Sequence, residues 1–236
     1  MKYLKKVLSI AMGMLLVSSL STLNFSEKST SNVESSKDEI AVEKVITANE
    51  NTVNFTDANF ELAIRDIIKK PKGVIYKSEV KHILELELVN KNINNIDGIE
   101  SFEYIKKIDL SFNKVSDLTK LKDLKMLDEL ILHSNKIERL EGIEDLTRLK
   151  TLIVSNNEIR KIFELDKLSH LERLYLDNNM ISDLSPLRKL GLVKDANFSN
   201  NAISDIEDIR YLYRVENLDL SNNLISDLSG MGYLRK

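Results

Sequence analysis

The sequence predicts an α/β solenoid: short parallel strands forming a concave sheet, 3-10 or irregular segments on the convex side, and a small helical cap at the N-terminal end. Three observations carry this. First, Asn113, Asn135, Asn157, Asn179, Asn201 and Asn223 follow one another at intervals of 22 residues without a slip. Second, the apolar positions keep register with that asparagine. Ile105, Ile108, Leu110, Val115, Leu118, Leu121 and Leu124 return one period later as Leu127, Leu130, Leu132, Ile137, Leu140, Ile143 and Leu146. Two periods further on the same places hold Leu171, Leu174, Leu176, Ile181, Leu184, Leu187 and Leu190. Third, the chain changes character at Phe55, where a helical apolar period follows a polar stretch.

Counting from Ile83 gives seven units, starting at 83, 105, 127, 149, 171, 193 and 215. The pattern L-x-x-L-x-L-x-x-N-x-L resembles the leucine-rich repeat, so the expected form is a leucine-rich-repeat horseshoe. A lone unit buries too little apolar surface to offset the entropy of ordering its backbone. Stacked units cover both flanks of each apolar slab and pair their strands.

A side-chain amide supplies two donors and one acceptor, which suits the point where the chain turns out of a strand, so the asparagine column reads as structural. Lys91 replaces it in the first unit and is expected to point outward beside the cap. Asp183, Asp205 and Asp227 form a partial second column. Turn capping by short polar side chains is the preferred reading of it over calcium binding, and no metal or other cofactor is expected.

In chain order, Lys2, Lys5 and Lys6, the apolar run from Val7 to Val17, and Ser19-Leu-Ser21 predict a signal peptide over residues 1–23. Residues 24–54 are rich in Ser, Thr, Asn, Glu and Lys and predict a flexible linker. The 236 residues contain no cysteine, which excludes disulfides, thiolate chemistry and a lipid-modified cysteine. Export without cysteine suits bacteria with a single membrane. The net charge of −3 argues against general nucleic-acid binding.

Residues 55–82 predict the cap. Thr56 or Asp57 is placed to start a helix carrying Phe60, Ile64, Ile67 and Ile68 at i, i+4, i+7 and i+8. With Thr56 as cap, Phe55 and Phe60 would form a hydrophobic staple. Pro71 and Gly73 are expected to end the helix, and a second short helix to start after Ser78. Residues 83–236 then carry the array.

The run from Phe55 to Arg65, Lys70-Pro-Lys-Gly73 and Tyr76-Lys-Ser-Glu79 resembles the helical cap of the internalin family, and the units with Asn-Asn-Met-Ile-Ser-Asp-Leu at 178–184 and Asn-Asn-Leu-Ile-Ser-Asp-Leu at 222–228 are similar to internalin repeats. That resemblance implies a bacterial protein, secreted or at the cell surface, whose concave face binds a protein, with host-cell adhesion or virulence as its setting. The chain as read stops at Lys236 without the immunoglobulin-like domain that usually follows such arrays and without a wall-sorting motif. The expectation is a short or truncated member. Asn135-Lys-Ile-Glu-Arg-Leu-Glu-Gly-Ile143 is also similar to the leucine-rich-repeat regulatory subunit of type-1 protein phosphatase, which implies an intracellular scaffold as a lesser alternative. A structural module of the bacterium's own envelope is the other.

On a strand, alternate residues face opposite sides, so the x of L-x-L points away from the core. That column reads Glu87, Asp109, Ile131, Ile153, Tyr175, Asn197 and Asp219. Ile131, Ile153 and Tyr175 are expected to form one exposed stripe flanked by Glu129, His133, Arg173 and Asp177, the predicted partner-binding residues. His82, His133 and His170 fall at unrelated repeat positions, and there is no phosphate loop, so no catalytic residue and no small-molecule substrate are expected. His133 is expected to be the one usefully exposed histidine. In the last unit Met231 and Leu234 fall in core columns with no polar segment after them, which predicts self-association through an uncapped end.

Overall fold

Each unit sets one outward residue between two inward apolar ones, and the strand that carries the first two of these forms because only extended backbone sends neighbours to opposite faces. Leu86 and Leu88 are fully buried while Glu87 between them is exposed. In the computed structural model residues 51–233 are described. The predicted signal segment, residues 24–50 of the linker, and Leu234 lie outside them.

Seven three-residue strands result: β1 (Glu85–Glu87), β2 (Lys107–Asp109), β3 (Glu129–Ile131), β4 (Thr151–Ile153), β5 (Arg173–Tyr175), β6 (Asp195–Asn197) and β7 (Asn217–Asp219). They pair in chain order into one parallel sheet. Every pairing joins residues one period apart, as in Leu86↔Ile108, Ile131↔Ile153 and Ile153↔Tyr175. The architecture is a leucine-rich-repeat horseshoe with 3-10 turns such as Phe163–Lys167, Ser185–Lys189 and Glu207–Tyr211 on its convex side. Its core runs continuously from Phe60 to Leu212.

The asparagine amides stitch the units. Asn157 Nδ2 donates to Leu132 O in the preceding unit and to Val154 O in its own, both at 3.0 Å, and its Oδ1 accepts from Ile137 N of the preceding unit at 3.0 Å. Asn113, Asn135, Asn179, Asn201 and Asn223 repeat the arrangement. In the first unit the Lys91 amide donates to Asn113 Oδ1, and the residue itself is exposed.

The aspartate column is a set of turn caps. Asp183, Asp205 and Asp227 each accept, at 2.8 Å, the N–H of the residue two further on, and Asp117 does the same for Thr119. Asp117 is legible too, in Val115-Ser-Asp-Leu118. Three residues past that column, Gly142 at φ 104° has no Cβ, which leaves room for the carbonyl of Leu118 in the unit before it.

The cap consists of α1 (Ala58–Ile68) and α2 (Lys77–Val80). Here the structure corrects several expectations. Asp57 is the N-cap, so Phe55 and Phe60 sit one place out of staple register, although their rings meet edge to face at 5.3 Å. The helix ends at Lys69 in the left-handed conformation, before Pro71. Ile67 is 40% exposed and Ala63 takes its inward place. α2 starts before Ser78, since Glu79 reaches back to the Tyr76 amide at 2.9 Å.

Asp57 also clamps the cap to the array. Its Oδ1 accepts from the amides of Asn59 and Phe60, and its Oδ2 from those of Asn94 and Asn95. Burial pushes this carboxyl up, but the amides of Asn94, Phe60 and Asn95 outweigh it and hold the group below the ordinary aspartate value.

At the other end, Leu218, Leu220 and Ile225 are only partly buried, and Leu228 is 67% exposed. Met231, expected in the core, is 41% exposed, because among the described residues no further unit packs on β7.

Two predictions follow from the hydrogen bonding. Asn157→Ala orphans two buried carbonyls and one amide and should cost about 3–5 kcal/mol in urea denaturation, whereas Asn223→Ala, in the partly solvated last unit, should cost about 1–2 kcal/mol. Equal losses would contradict a stitching role graded by burial. Because its folded pKa is depressed, the ionised Asp57 stabilises the fold above the unfolded value of about 3.9, and that contribution disappears as pH falls through the lower folded value. Urea midpoints measured between about pH 5 and pH 2 should therefore fall less steeply in Asp57→Asn than in wild type.

Candidate functional site

Three outward columns make the concave face. The middle of these columns, at the strand ends, keeps its predicted register, so Ile131, Ile153 and Tyr175 stand side by side on three adjacent strands about 4.8 Å apart. They are half-buried rather than exposed, because at that spacing each covers the flank of the next.

Three of the other four members of this column show what the stripe replaces. Asp109, Asn197 and Asp219 each use a side-chain oxygen to accept the N–H two residues on, at Ser111, Ser199 and Ser221, over 2.9–3.0 Å. The amide and hydroxyl of Ser221 hold the Asp219 carboxyl below its usual range. Isoleucine and tyrosine have no acceptor that can do this. Three successive units have thus given up a local backbone hydrogen bond for apolar surface.

The predicted flanking residues all have partners, though only Arg173 and Glu129 meet each other. Arg173 lies across β4, its Nε donating to Thr151 Oγ1 at 3.1 Å and its Nη2 lying 3.7 Å from Glu129 Oε1. An ion pair this exposed fixes orientation more than it adds stability. Asp177 accepts from the Ser155 hydroxyl and from Asn178 Nδ2. His133 is half-buried, contrary to its expected exposure, since the Phe112 ring stands edge-on against it at 4.9 Å. His82 and His170 are the exposed histidines, one stacked on Tyr104 and the other with Nδ1 2.9 Å from Thr147 O. Among the described residues no group of three or more His, Asp or Glu is arranged to hold a metal ion.

Phe112 is the site residue that sequence reasoning missed. At one repeat position every unit adopts a left-handed conformation with φ between 55 and 58°: Asn90, Phe112, Ser134, Asn156, Asn178, Asn200 and Asn222. Asparagine adopts this conformation at little cost, whereas in phenylalanine it is strained. Phe112 is nevertheless 54% exposed there, its ring beside His133 at the edge of the stripe. The signal was present in the sequence, as the single aromatic in a column of Asn and Ser.

An aromatic in this conformation stores strain, so Phe112→Asn should stabilise the fold by about 0.5–1 kcal/mol, net of the lost ring contact. Urea denaturation measures it, and a lower midpoint for the variant would show that the ring contributes more than its backbone costs.

Comparison with known proteins agrees with this geometry. The family described as Leucine Rich repeats (2 copies) matches residues 147–189. Among curated proteins none matches. Among solved structures, internalin C2 of Listeria monocytogenes is similar at TM-score 0.60 and 22% identity, over 77% of this chain and 91% of that one. A second internalin of Listeria monocytogenes is similar at 0.52 and 23%, over 76% and 67%. A leucine-rich-repeat protein of Leptospira interrogans gives 0.59 and 24%, over 68% and 43%. Two repeats recognised by sequence and these structural likenesses establish that the chain has the leucine-rich-repeat fold.

Proposed function

We propose that this chain is a non-catalytic recognition protein, secreted or held at a bacterial cell surface, that binds another protein through its concave face. Ile131, Ile153 and Tyr175 form the apolar anchor. Glu129, His133, Arg173 and Asp177 form its polar rim. The single observation that carries the reading is the exchange of a backbone-capping side chain for an apolar one in three adjacent units, which lowers local hydrogen bonding and creates contiguous apolar surface. Apolar and aromatic residues ringed by charge are the composition of binding hot spots. A host surface protein is the proposed partner class, supported by the resemblance of cap and repeats to internalins.

The test is capture by the purified chain, wild type against Ile153→Asp with Tyr175→Ala, from animal-cell surface extract and from bacterial envelope extract. Both proteins must first show the same unfolding transition. Retention of a host protein by wild type alone is the expected result, with the double variant weakened about a hundredfold or more. Equal retention of envelope material by both would reject the stripe and favour an envelope scaffold.

A further inference from the structure

The three outward columns differ in charge from the rest of the protein. The strand-start column reads Glu85, Lys107, Glu129, Thr151, Arg173, Asp195 and Asn217, and the column two residues past the strand ends reads Val89, Ser111, His133, Ser155, Asp177, Ser199 and Ser221. With Glu87, Asp109 and Asp219 from the centre, the face holds seven carboxylates against Lys107 and Arg173, a net of −5 where the whole chain carries −3. The remainder of the chain is therefore net positive, and the acidity is concentrated on this one face.

The carboxylates are also distributed around the apolar stripe. Asp109 is the register partner of Ile131 at one end, and Asp177 lies two residues beyond Tyr175 at the other. Asp195 stands in register with Arg173, and its Oδ1 accepts from Asn217 Nδ2. Of the two cations, Arg173 is turned onto Glu129, which leaves Lys107 alone to oppose the other six carboxylates. Phe112 adds an exposed aromatic ring beside His133.

We infer that the occupant of this face is a cationic protein segment: an apolar side chain seated on Ile131, Ile153 and Tyr175, with lysine or arginine on both sides of it reaching Asp109, Asp177 and Asp195. This rests on the stripe being the binding site and adds the charge of its partner. Strands about 4.8 Å apart make the three-residue anchor roughly 10 Å wide, which matches one or two apolar side chains of a segment crossing the strands. An anionic segment, a nucleic acid or an acidic lipid surface would meet like charge around the whole stripe.

Three synthetic peptides of equal length test it against the full chain by titration calorimetry: one of Lys and Leu, one of Glu and Leu, and one of Lys and Ser. The Lys/Leu peptide should bind, and should lose about tenfold or more in affinity between 50 and 500 mM NaCl. The Lys/Ser peptide should bind about tenfold more weakly, because it lacks the apolar anchor. Asp109→Asn with Asp177→Asn should weaken the Lys/Leu peptide while leaving the unfolding transition in place. Binding of the Glu/Leu peptide as tightly as the Lys/Leu peptide, or no binding of the latter, overturns the inference. If the Glu/Leu peptide binds and Ile153→Asp abolishes that binding, the stripe stands as a site and only its charge preference fails. If Ile153→Asp leaves Lys/Leu binding unchanged, the stripe itself is rejected.

Discussion

The amide of each ladder asparagine joins its own unit to the one before it, and the rest of the array depends on that joint. A parallel sheet of three-residue strands supplies few hydrogen bonds, and where each strand ends the backbone turns away with carbonyls and amides that would otherwise lie buried without partners. Asn157 satisfies Leu132 O, Val154 O and Ile137 N at once. No other uncharged side chain of that length carries both two donors and an acceptor. With the turn held in this way, the leucines and isoleucines of successive units stack as one continuous core.

The convex side and the cap repeat the principle with carboxylates. Asp117, Asp183, Asp205 and Asp227 each close one turn, while Asp57 divides its two oxygens between a helix terminus and the loop of the first unit. Because backbone polarity is met locally in almost every unit, places where it is not met stand out. The concave stripe is one such place, and Phe112, whose irregularity is its left-handed backbone, stands beside His133 at its edge. Departures from local consistency are where recognition sites are expected in an otherwise regular fold.

Much of this was legible in the sequence, for a physical reason. A repeat of fixed length has one register, so the strands, the core columns and the neighbours of Ile153 follow from counting. The non-repeating cap was harder: Thr56 and Asp57 are both good caps, and only the position of Asn94 and Asn95, some 37 residues away in sequence, makes Asp57 the one used. Phe112 was passed over because apolar residues were weighed by strand alternation, whereas its column is defined by a backbone angle. His133 was read as open to solvent because that neighbouring ring was not foreseen.

The reach of the ladder has a consequence for how such a protein can change. The side-chain amide of each ladder asparagine bonds to its own unit and to the one before it. A gain or loss of a single residue between two neighbouring asparagines would disturb the joint that spans it, while the insertion or removal of a whole unit leaves each joint with the same partners. The length of the concave sheet is therefore quantised in steps of one strand. Its chemistry is free to vary between those steps, since the outward positions carry none of the joint.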